Sequence, residues 1–190
     1  NTDWWSVLMR DGALQNHNIS AAGSNEKSNF FISAGIMDQK GLQINNDYKR
    51  YNARFNYDYK IRDNINVGAR FSGNWSKSSY ALEDGFTDNS GNFDLQYAIA
   101  GILPFDPQTG YYGGVMAYNE DPQAHNPYSQ YMNNLNYEDR QEVNPTAYID
   151  WTPIAGLTAR VDYTLNYFNQ FRVNAPLPTR AYNFQTQAYG

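Results

Sequence analysis

The sequence predicts an all-β fold: a segment of an antiparallel transmembrane β-barrel with about six strands and one long external loop. Three features support this prediction. Apolar and polar side chains alternate with period two over stretches of ten or more residues, as in strands that separate two environments. Most of these stretches are long enough to cross a tilted bilayer, which takes about 9–11 residues. Short connections also alternate with longer ones along the chain.

The predicted strands follow a short helical lead-in at residues 1–12. The first four strands share full or partial alternation and lie at 14–23, 28–38, 48–61 and 65–78. Two more strands are predicted within 142–169, where "LTARVDYTLNYF" (157–168) alternates almost without error. Strands of soluble sheets are typically about 5–6 residues long, so six strands of this length are unusual in a soluble protein.

The connections predict two different rims for the sheet. Three short polar or Gly/Pro turns lie at 24–27, 62–64 and 153–156. A medium loop at 39–47 and a long loop at 79–141 separate these turns, and residues 170–190 are predicted to begin the next external loop. This difference between the rims is typical of outer-membrane barrels, which have short periplasmic turns at one rim and long external loops at the other.

The alternation also predicts two chemically different faces. The residues expected to face lipid are Phe55, Tyr57, Phe71, Trp75, Trp151, Val161, Tyr163 and Leu165. The charged residues expected to face a wet lumen are Arg54, Asp58, Arg70, Asp150, Arg160 and Asp162. A soluble sheet with one buried face alternates in the same way, so periodicity alone leaves a soluble β-sandwich open. Aromatic residues near the strand ends favour the membrane barrel, which has aromatic girdles at both interfaces.

Asp150 and Arg160 flank one predicted hairpin turn. If the turn centres near residues 154–155, the two side chains face each other across neighbouring strands. Pairs of this kind on the lumen face are expected to hold the wall together, and selection of a substrate is the alternative role.

Composition excludes several other classes of protein. No run of 18 apolar residues exists, so no transmembrane helix is predicted. The chain has no cysteine, and its two histidines lie far apart in sequence, so we expect no metal site, no cofactor and no enzymatic activity. Segment 79–141 contains nine acidic residues and one basic residue, which disfavours binding of nucleic acid.

The long loop at 79–141 is the predicted recognition element, because external loops carry contacts while strands supply the frame. Its candidates for contact with a substrate or partner are Tyr111, Tyr112, Tyr118 and Tyr128. Tyrosine combines an apolar ring with a hydrogen-bonding hydroxyl, which suits sugar faces and protein interfaces. The alternative is that these rings pack the loop into an ordered lid. Residues 92–105 are predicted to form a short helix within it.

An ordered series of short motifs runs along the chain. It comprises "NTDWW" (1–5), "QNHNIS" (15–20), "AGSNEK" (22–27), "GIMDQKG" (35–41), "HNPY" (125–128) and "DWTPIAGLTARVDYTLNY" (150–167). Together these motifs resemble the start of the barrel in SusC/RagA-type TonB-dependent outer-membrane transporters of Bacteroidetes. Two departures leave the subfamily open: the turn at 22–27 lacks the paired glycines common there, and Trp5 replaces a more usual polar residue.

The resemblance implies that the chain is an early barrel segment of a longer transporter with a plug domain and a 22-stranded barrel in the outer membrane. Members of this family import oligosaccharides or peptides with a SusD-like surface lipoprotein, and TonB supplies the energy. The TonB-contacting segment would then lie outside this chain. A soluble carbohydrate-binding β-sandwich is the alternative, and a small complete barrel acting as an enzyme or adhesin is a second. The sequence does not distinguish a glycan substrate from a peptide.

Overall fold

A computed structural model describes residues 1–79, 103–108, 112, 126, 128, 131–132, 134–176, 182–183 and 188–189. Seven strands in this part of the chain form one antiparallel sheet. They are β1 (Ala13–Ser24), β2 (Ser28–Lys40), β3 (Asp47–Arg62), β4 (Ile65–Ser79), β5 (Asn134–Ile154), β6 (Leu157–Thr164) and β7 (Tyr167–Pro176). A separate two-residue ladder joins β8 (Tyr182–Asn183) to β9 (Ala188–Tyr189).

The sheet is a meander in which β1 to β5 pair in chain order. β6 pairs with the C-terminal half of β5, and β7 pairs with its N-terminal half in the same register. The interruption between them lies opposite Pro145. The Leu165 N–H donates to the Pro145 carbonyl at 3.0 Å, but proline has no N–H to donate in return. β6 and β7 are therefore one long strand, and the sheet has the six strands predicted from the sequence.

Two boundaries differ from the predicted domain limits. β5 begins at Asn134, whereas the loop was predicted to continue to residue 141, and β7 continues to Pro176, beyond the predicted loop start at 170. For β5 the physical reason is that residues 138–141, "EDRQ", are polar on both faces of the strand, so they show no apolar alternation. They nevertheless pair with both β4 and β7. The external position of these loops stays a prediction.

The predicted lead-in contains a helix, α1 (Trp4–Leu8). Asp3 caps it: the Asp3 carboxylate accepts hydrogen bonds from the Ser6 hydroxyl at 2.6 Å and the Ser6 N–H at 3.3 Å. These bonds hold the pKa of the Asp3 carboxyl below its usual value. The helix predicted at 92–105 lies outside the described residues up to 102, and residues 103–105 are not helical.

A small apolar core lies at the end of the sheet from which the longer connections emerge. Leu8 and Tyr131 are 1% and 2% exposed, and Ile44 and Tyr128 pack against them. The Asn45 side-chain amide donates to the Tyr131 carbonyl at 3.0 Å. This core joins α1, the β2–β3 loop, Tyr128 and Tyr131. The described residues contain no helix with the length and apolar character needed to cross a bilayer.

Candidate functional site on the two faces of the sheet

The apolar face is uncovered in the described part of the chain. The pairing register places seven of the eight residues predicted to face lipid on it, and Leu165 follows Tyr163 by alternation. Their side chains are exposed, from 37% for Phe71 to 68% for Val161. A β-sandwich would bury such a row against a second sheet, and no described element packs there. Contact of these residues with lipid stays a prediction.

Aromatic rings form two groups on this face. Tyr51 and Trp75 stack at a centroid distance of 5.4 Å near the end with the longer connections. Tyr57 and Tyr59 stack at 6.4 Å near the short turns. Tyr51 and Tyr59 are eight residues apart, or about 26 Å along an extended strand. This separation is similar to the roughly 25 Å apolar band that aromatic girdles flank in membrane barrels.

The opposite face is polar, and most of its predicted charged residues gather around Tyr148. The Tyr148 hydroxyl donates a short hydrogen bond to the Asp58 carboxylate. The guanidinium carbons of Arg70 and Arg160 lie 5.1 Å and 4.6 Å from the centroid of the Tyr148 ring. Asp162 is the register partner of Tyr148 on β6. Tyr148 therefore lies at the centre of a cluster of charged residues from β3, β4 and β6.

The predicted pairing of Asp150 with Arg160 is present. The Arg160 Nε and Nη2 donate to the two Asp150 carboxylate oxygens at 2.6 Å and 2.7 Å, which is a two-point ion pair. The two residues are direct register partners: the chain turns at Ala155 and Gly156, and a register shift between Trp151 and Ile154 aligns Asp150 with Arg160. Gly156 has a φ of +87°, a left-handed conformation that glycine adopts without strain.

Two more ion pairs continue this polar face toward the longer connections. Glu138 accepts from Arg172 Nη2 at 3.0 Å, and Glu142 accepts from Arg140 Nη2 at 3.3 Å. Arg54, the remaining predicted lumen residue, lies on this face away from the Tyr148 cluster. The face therefore has the composition of a hydrated wall with extensive internal pairing, and its exposure to a lumen stays a prediction.

Sequence analysis missed Tyr148 as a site residue. The residue alternates onto the polar face as a single aromatic ring between Thr146 and Asp150. One signal was available in the sequence: Gly68 interrupts the polar side of β4, and the register places it opposite Tyr148. A glycine in a strand often marks a close approach by a neighbour.

The loop tyrosines divide into described and undescribed residues. Tyr111 and Tyr118 lie outside the described residues. The Tyr112 ring lies 5.2 Å from Phe105 and 6.1 Å from Tyr128, and Tyr128 packs against the Leu8–Tyr131 core. Burial raises the pKa of the Tyr112 phenol. These contacts favour packing for Tyr112 and Tyr128, while contact with a substrate or partner stays a prediction.

The described residues contain no group of three or more histidine, cysteine or acidic side chains placed to hold a metal ion. The polar face offers guanidinium, amide and hydroxyl groups instead. These groups bind polar solutes by hydrogen bonds and charge.

Comparison with known proteins gives sequence relatives among receptors of Formosa agariphila, and no family model matches. The chain is 27% identical to TonB-dependent receptor P3 over 112 residues, which cover 59% of the chain and 11% of the receptor. It is 26% identical to TonB-dependent receptor P39 over 170 residues, covering 88% and 15%. It is 25% identical to TonB-dependent receptor P26 over 172 residues, covering 89% and 16%. The chain therefore spans less than a fifth of each relative.

The fold is similar to a chain of the RagAB peptide importer. In the closed-closed state the TM-score is 0.63, and in the open-open state it is 0.64. Each match has 22% identity and covers 88% of this chain and 19% of the importer chain. These comparisons confirm the predicted resemblance to TonB-dependent transporters of the RagA type and the predicted antiparallel barrel-type fold. They also confirm the predicted outer-membrane location.

Proposed function

We propose that this chain forms part of the wall of a TonB-dependent outer-membrane importer. The observation that carries the proposal is the contrast between the two faces of the sheet. Strands β1 to β5, of 12 to 21 residues, form an uncovered apolar face, and the opposite, polar face carries paired charges where β5 meets β6 and β7. Such strands suit a boundary between hydrocarbon and water. The similarity to TonB-dependent receptors supports the same assignment.

In this proposal the two faces have separate roles. The apolar face, including Phe55 and Val161, contacts outer-membrane lipid, and the Tyr148 cluster stabilises the lumen side of the wall. A polar lumen wall lets a hydrated solute pass without the free-energy cost of removing its polar groups from water. The chain takes no part in bond making or breaking.

The substrate in this proposal is an oligosaccharide or a peptide. RagAB, whose fold this chain shares in part, is a peptide importer, and this similarity supports a peptide as the substrate. Resemblance to the SusC/RagA type supports both substrate classes. We further propose that a SusD-like surface lipoprotein captures the substrate at the rim with the longer connections. TonB would act through a plug domain that this chain does not include.

The proposal is tested by a pair of arginine substitutions in the full polypeptide that carries this chain. Val161→Arg places a charge on the apolar face, which costs about 2–4 kcal/mol at the bilayer midplane of a barrel. Thr164→Arg places the same charge on the polar face three residues later. We expect Val161→Arg to reduce the folded, heat-modifiable protein in the outer membrane, and Thr164→Arg to leave it near the wild-type amount.

Uptake completes the test. Cells with wild-type protein or the Thr164→Arg variant should accumulate labelled oligosaccharide or peptide only when TonB is present, and cells with Val161→Arg should accumulate less. Equal assembly of the two variants would refute the assignment of the faces. Import that persists without TonB would refute the energy source. A protein that stays soluble and monomeric without detergent would support the carbohydrate-binding β-sandwich instead.

A further inference from the structure

We propose that a patch on the polar face, defined by Arg50, Asn74, Ser76 and Arg140, binds a carboxylate group. The patch crosses β3, β4 and β5 in the half of the sheet next to the longer connections. Ser76 is the register partner of Arg50 on one side and of Arg140 on the other, so the three side chains form one row. This inference deepens the proposed function and rests on it, because the polar face must border the transport passage.

Unsatisfied polar atoms concentrate in this patch. Among the described residues, four side-chain atoms are shielded from water and lack a hydrogen-bond partner. Three belong to the patch: Arg50 Nε, Asn74 Oδ1 and Arg140 Nε. The fourth, Asn136 Oδ1, lies on the same face of β5, four residues before Arg140. Since buried polar atoms in proteins are nearly always paired, their concentration indicates that a polar partner belongs there once the side chains shift enough to admit it.

Ser76 is the centre of the patch and its most buried member. The residue is only 7% exposed, and its hydroxyl makes no hydrogen bond with the described residues. A serine hydroxyl can donate one hydrogen bond and accept two. Placed between two arginines, it is free to donate to an oxygen that the guanidinium groups hold.

Arg50 is a cation without a counter-charge. Arg160 and Arg172 on this face have one, Asp150 and Glu138 respectively, whereas Arg54, like Arg50, has no ion pair in the described part of the chain. Arg50 has no ion pair, hydrogen bond or ring contact with its side chain in the described part of the chain. A half-buried guanidinium loses hydration and is stabilised by an anion.

Arg140 is only partly neutralised. Its Nη2 donates to Glu142 at 3.3 Å, and its guanidinium carbon lies 4.9 Å from the Phe168 ring centroid. The side chain is still 43% exposed, so its terminal amino groups can be reached from the passage. Counting Arg50, Arg140 and Glu142, the patch and its nearest acid carry a net charge of +1.

The hydrogen-bonding groups of the patch determine which kind of ligand it can bind. Guanidinium has only N–H donors, and its planar fork matches the two oxygens of a carboxylate. Asn74 Oδ1 requires a donor, so the ligand must also carry O–H or N–H groups near its carboxylate. An acidic sugar or an acidic peptide has both. The carboxylate belongs either to a transported substrate or to the transporter's own polypeptide within the barrel.

The test uses the full-length protein in detergent with Arg50→Gln and Arg140→Gln. The control is Lys60→Gln, which removes the same charge from the same face of β3 near the short turn, where Lys60 pairs with Asp63. Binding is measured by calorimetry to oligogalacturonate and to hexaglutamate peptide. Methyl-esterified oligogalacturonate and hexaglutamine serve as neutral probes.

For a substrate carboxylate, we expect wild-type protein to bind a carboxylated probe in preference to its neutral form. Each arginine variant should weaken this binding by roughly tenfold or more, as for loss of a charge-assisted hydrogen bond, and Lys60→Gln should not. For an internal carboxylate, wild-type protein binds no probe, and both arginine variants lower the thermal unfolding midpoint more than Lys60→Gln does.

The proposal is overturned if both arginine variants match Lys60→Gln in probe binding and in unfolding midpoint, because the two guanidinium groups then have no anionic partner. The outer-membrane assembly of Val161→Arg is measured separately and does not depend on the patch. Failure of the carboxylate site and failure of the proposed function are therefore distinguishable.

Discussion

Gly68 lies directly opposite Tyr148 in the pairing of β4 with β5, and the Tyr148 ring occupies the space that a side chain at position 68 would need. A Cβ atom built on Gly68 would overlap Cε1 and Cζ of the ring. With this space free, the ring crosses the neighbouring strand and its hydroxyl reaches Asp58 on β3. The absence of a side chain on one strand thus allows a contact between two strands that are not neighbours.

Gly68→Ala should therefore displace Tyr148. The ring would lose its hydrogen bond to Asp58 and its position between two guanidinium groups, and overpacking of this kind costs about 1–3 kcal/mol. We expect a lower thermal unfolding midpoint of the folded protein, measured from its heat-modifiable gel mobility. Gly73→Ala is the matched control, because its Cβ would lie 3.2 Å from the Phe71 ring on the opposite face, a milder contact.

Repeating Gly68→Ala in a protein that also lacks the Tyr148 ring tests whether the loss of stability is steric. When Tyr148 is replaced by alanine, the space opposite position 68 is open, and Gly68→Ala should then cost little further stability. If the glycine substitution is equally damaging with and without the ring, the cause lies in the backbone at position 68 and the steric explanation is wrong.

The strands and their two faces could be predicted because period-two alternation is a local property of the chain. The side of the sheet on which Phe55 or Val161 lies follows from its own strand. The Tyr148 cluster could not be predicted in the same way, since it depends on the register among β3, β4, β5 and β6. A single aromatic residue on a polar face has no local pattern that distinguishes it from a surface tyrosine.

The missed boundaries and the small core have related causes. Residues 138–141 of β5 are polar on both faces, so no pattern distinguishes them from a loop, and their strand structure depends on pairing with β4 and β7. The Leu8–Tyr131 contact joins segments more than a hundred residues apart in the sequence. Only the folded arrangement of the sheet brings these segments together.

The Asp150–Arg160 pair predicts a specific pattern of loss and rescue. Arg160→Met should lower the unfolding midpoint, because it leaves Asp150 without its two-point partner and removes one guanidinium from the Tyr148 ring. Asp150→Asn should have a smaller effect, since the amide oxygen still accepts one hydrogen bond. The double exchange Asp150→Arg with Arg160→Asp should recover part of the loss, because the register keeps the two positions opposite each other.

The unfolding midpoints should show a different pattern if Asp150 and Arg160 do not stabilise each other. The single and double variants would then show additive losses, as expected for sites that do not interact. Raising the salt concentration should also reduce the difference between wild type and Arg160→Met, because exposed charges are screened.

Tyr131 predicts a loss of stability at alkaline pH. Burial raises the pKa of its phenol to about 12, whereas an unfolded tyrosine ionises near 10. Below about pH 10 the phenol is neutral in both states, and its contribution to stability is complete. Between about pH 10 and 12 only the unfolded state ionises, so this contribution is lost as the pH rises, up to about 2–3 kcal/mol at 1.36 kcal/mol per unit of pKa.

Tyr131→Phe separates this effect from the ionisation of the other tyrosines. The variant keeps the ring against Leu8 but cannot ionise, so the difference in unfolding midpoint between variant and wild type should shift in favour of the variant between pH 9 and pH 12. If the difference at Tyr131 is constant across this range, its phenol ionises equally in both states. The Leu8–Tyr131 core would then be open to water, and it could not anchor α1 to Tyr128 and Tyr131 at the rim.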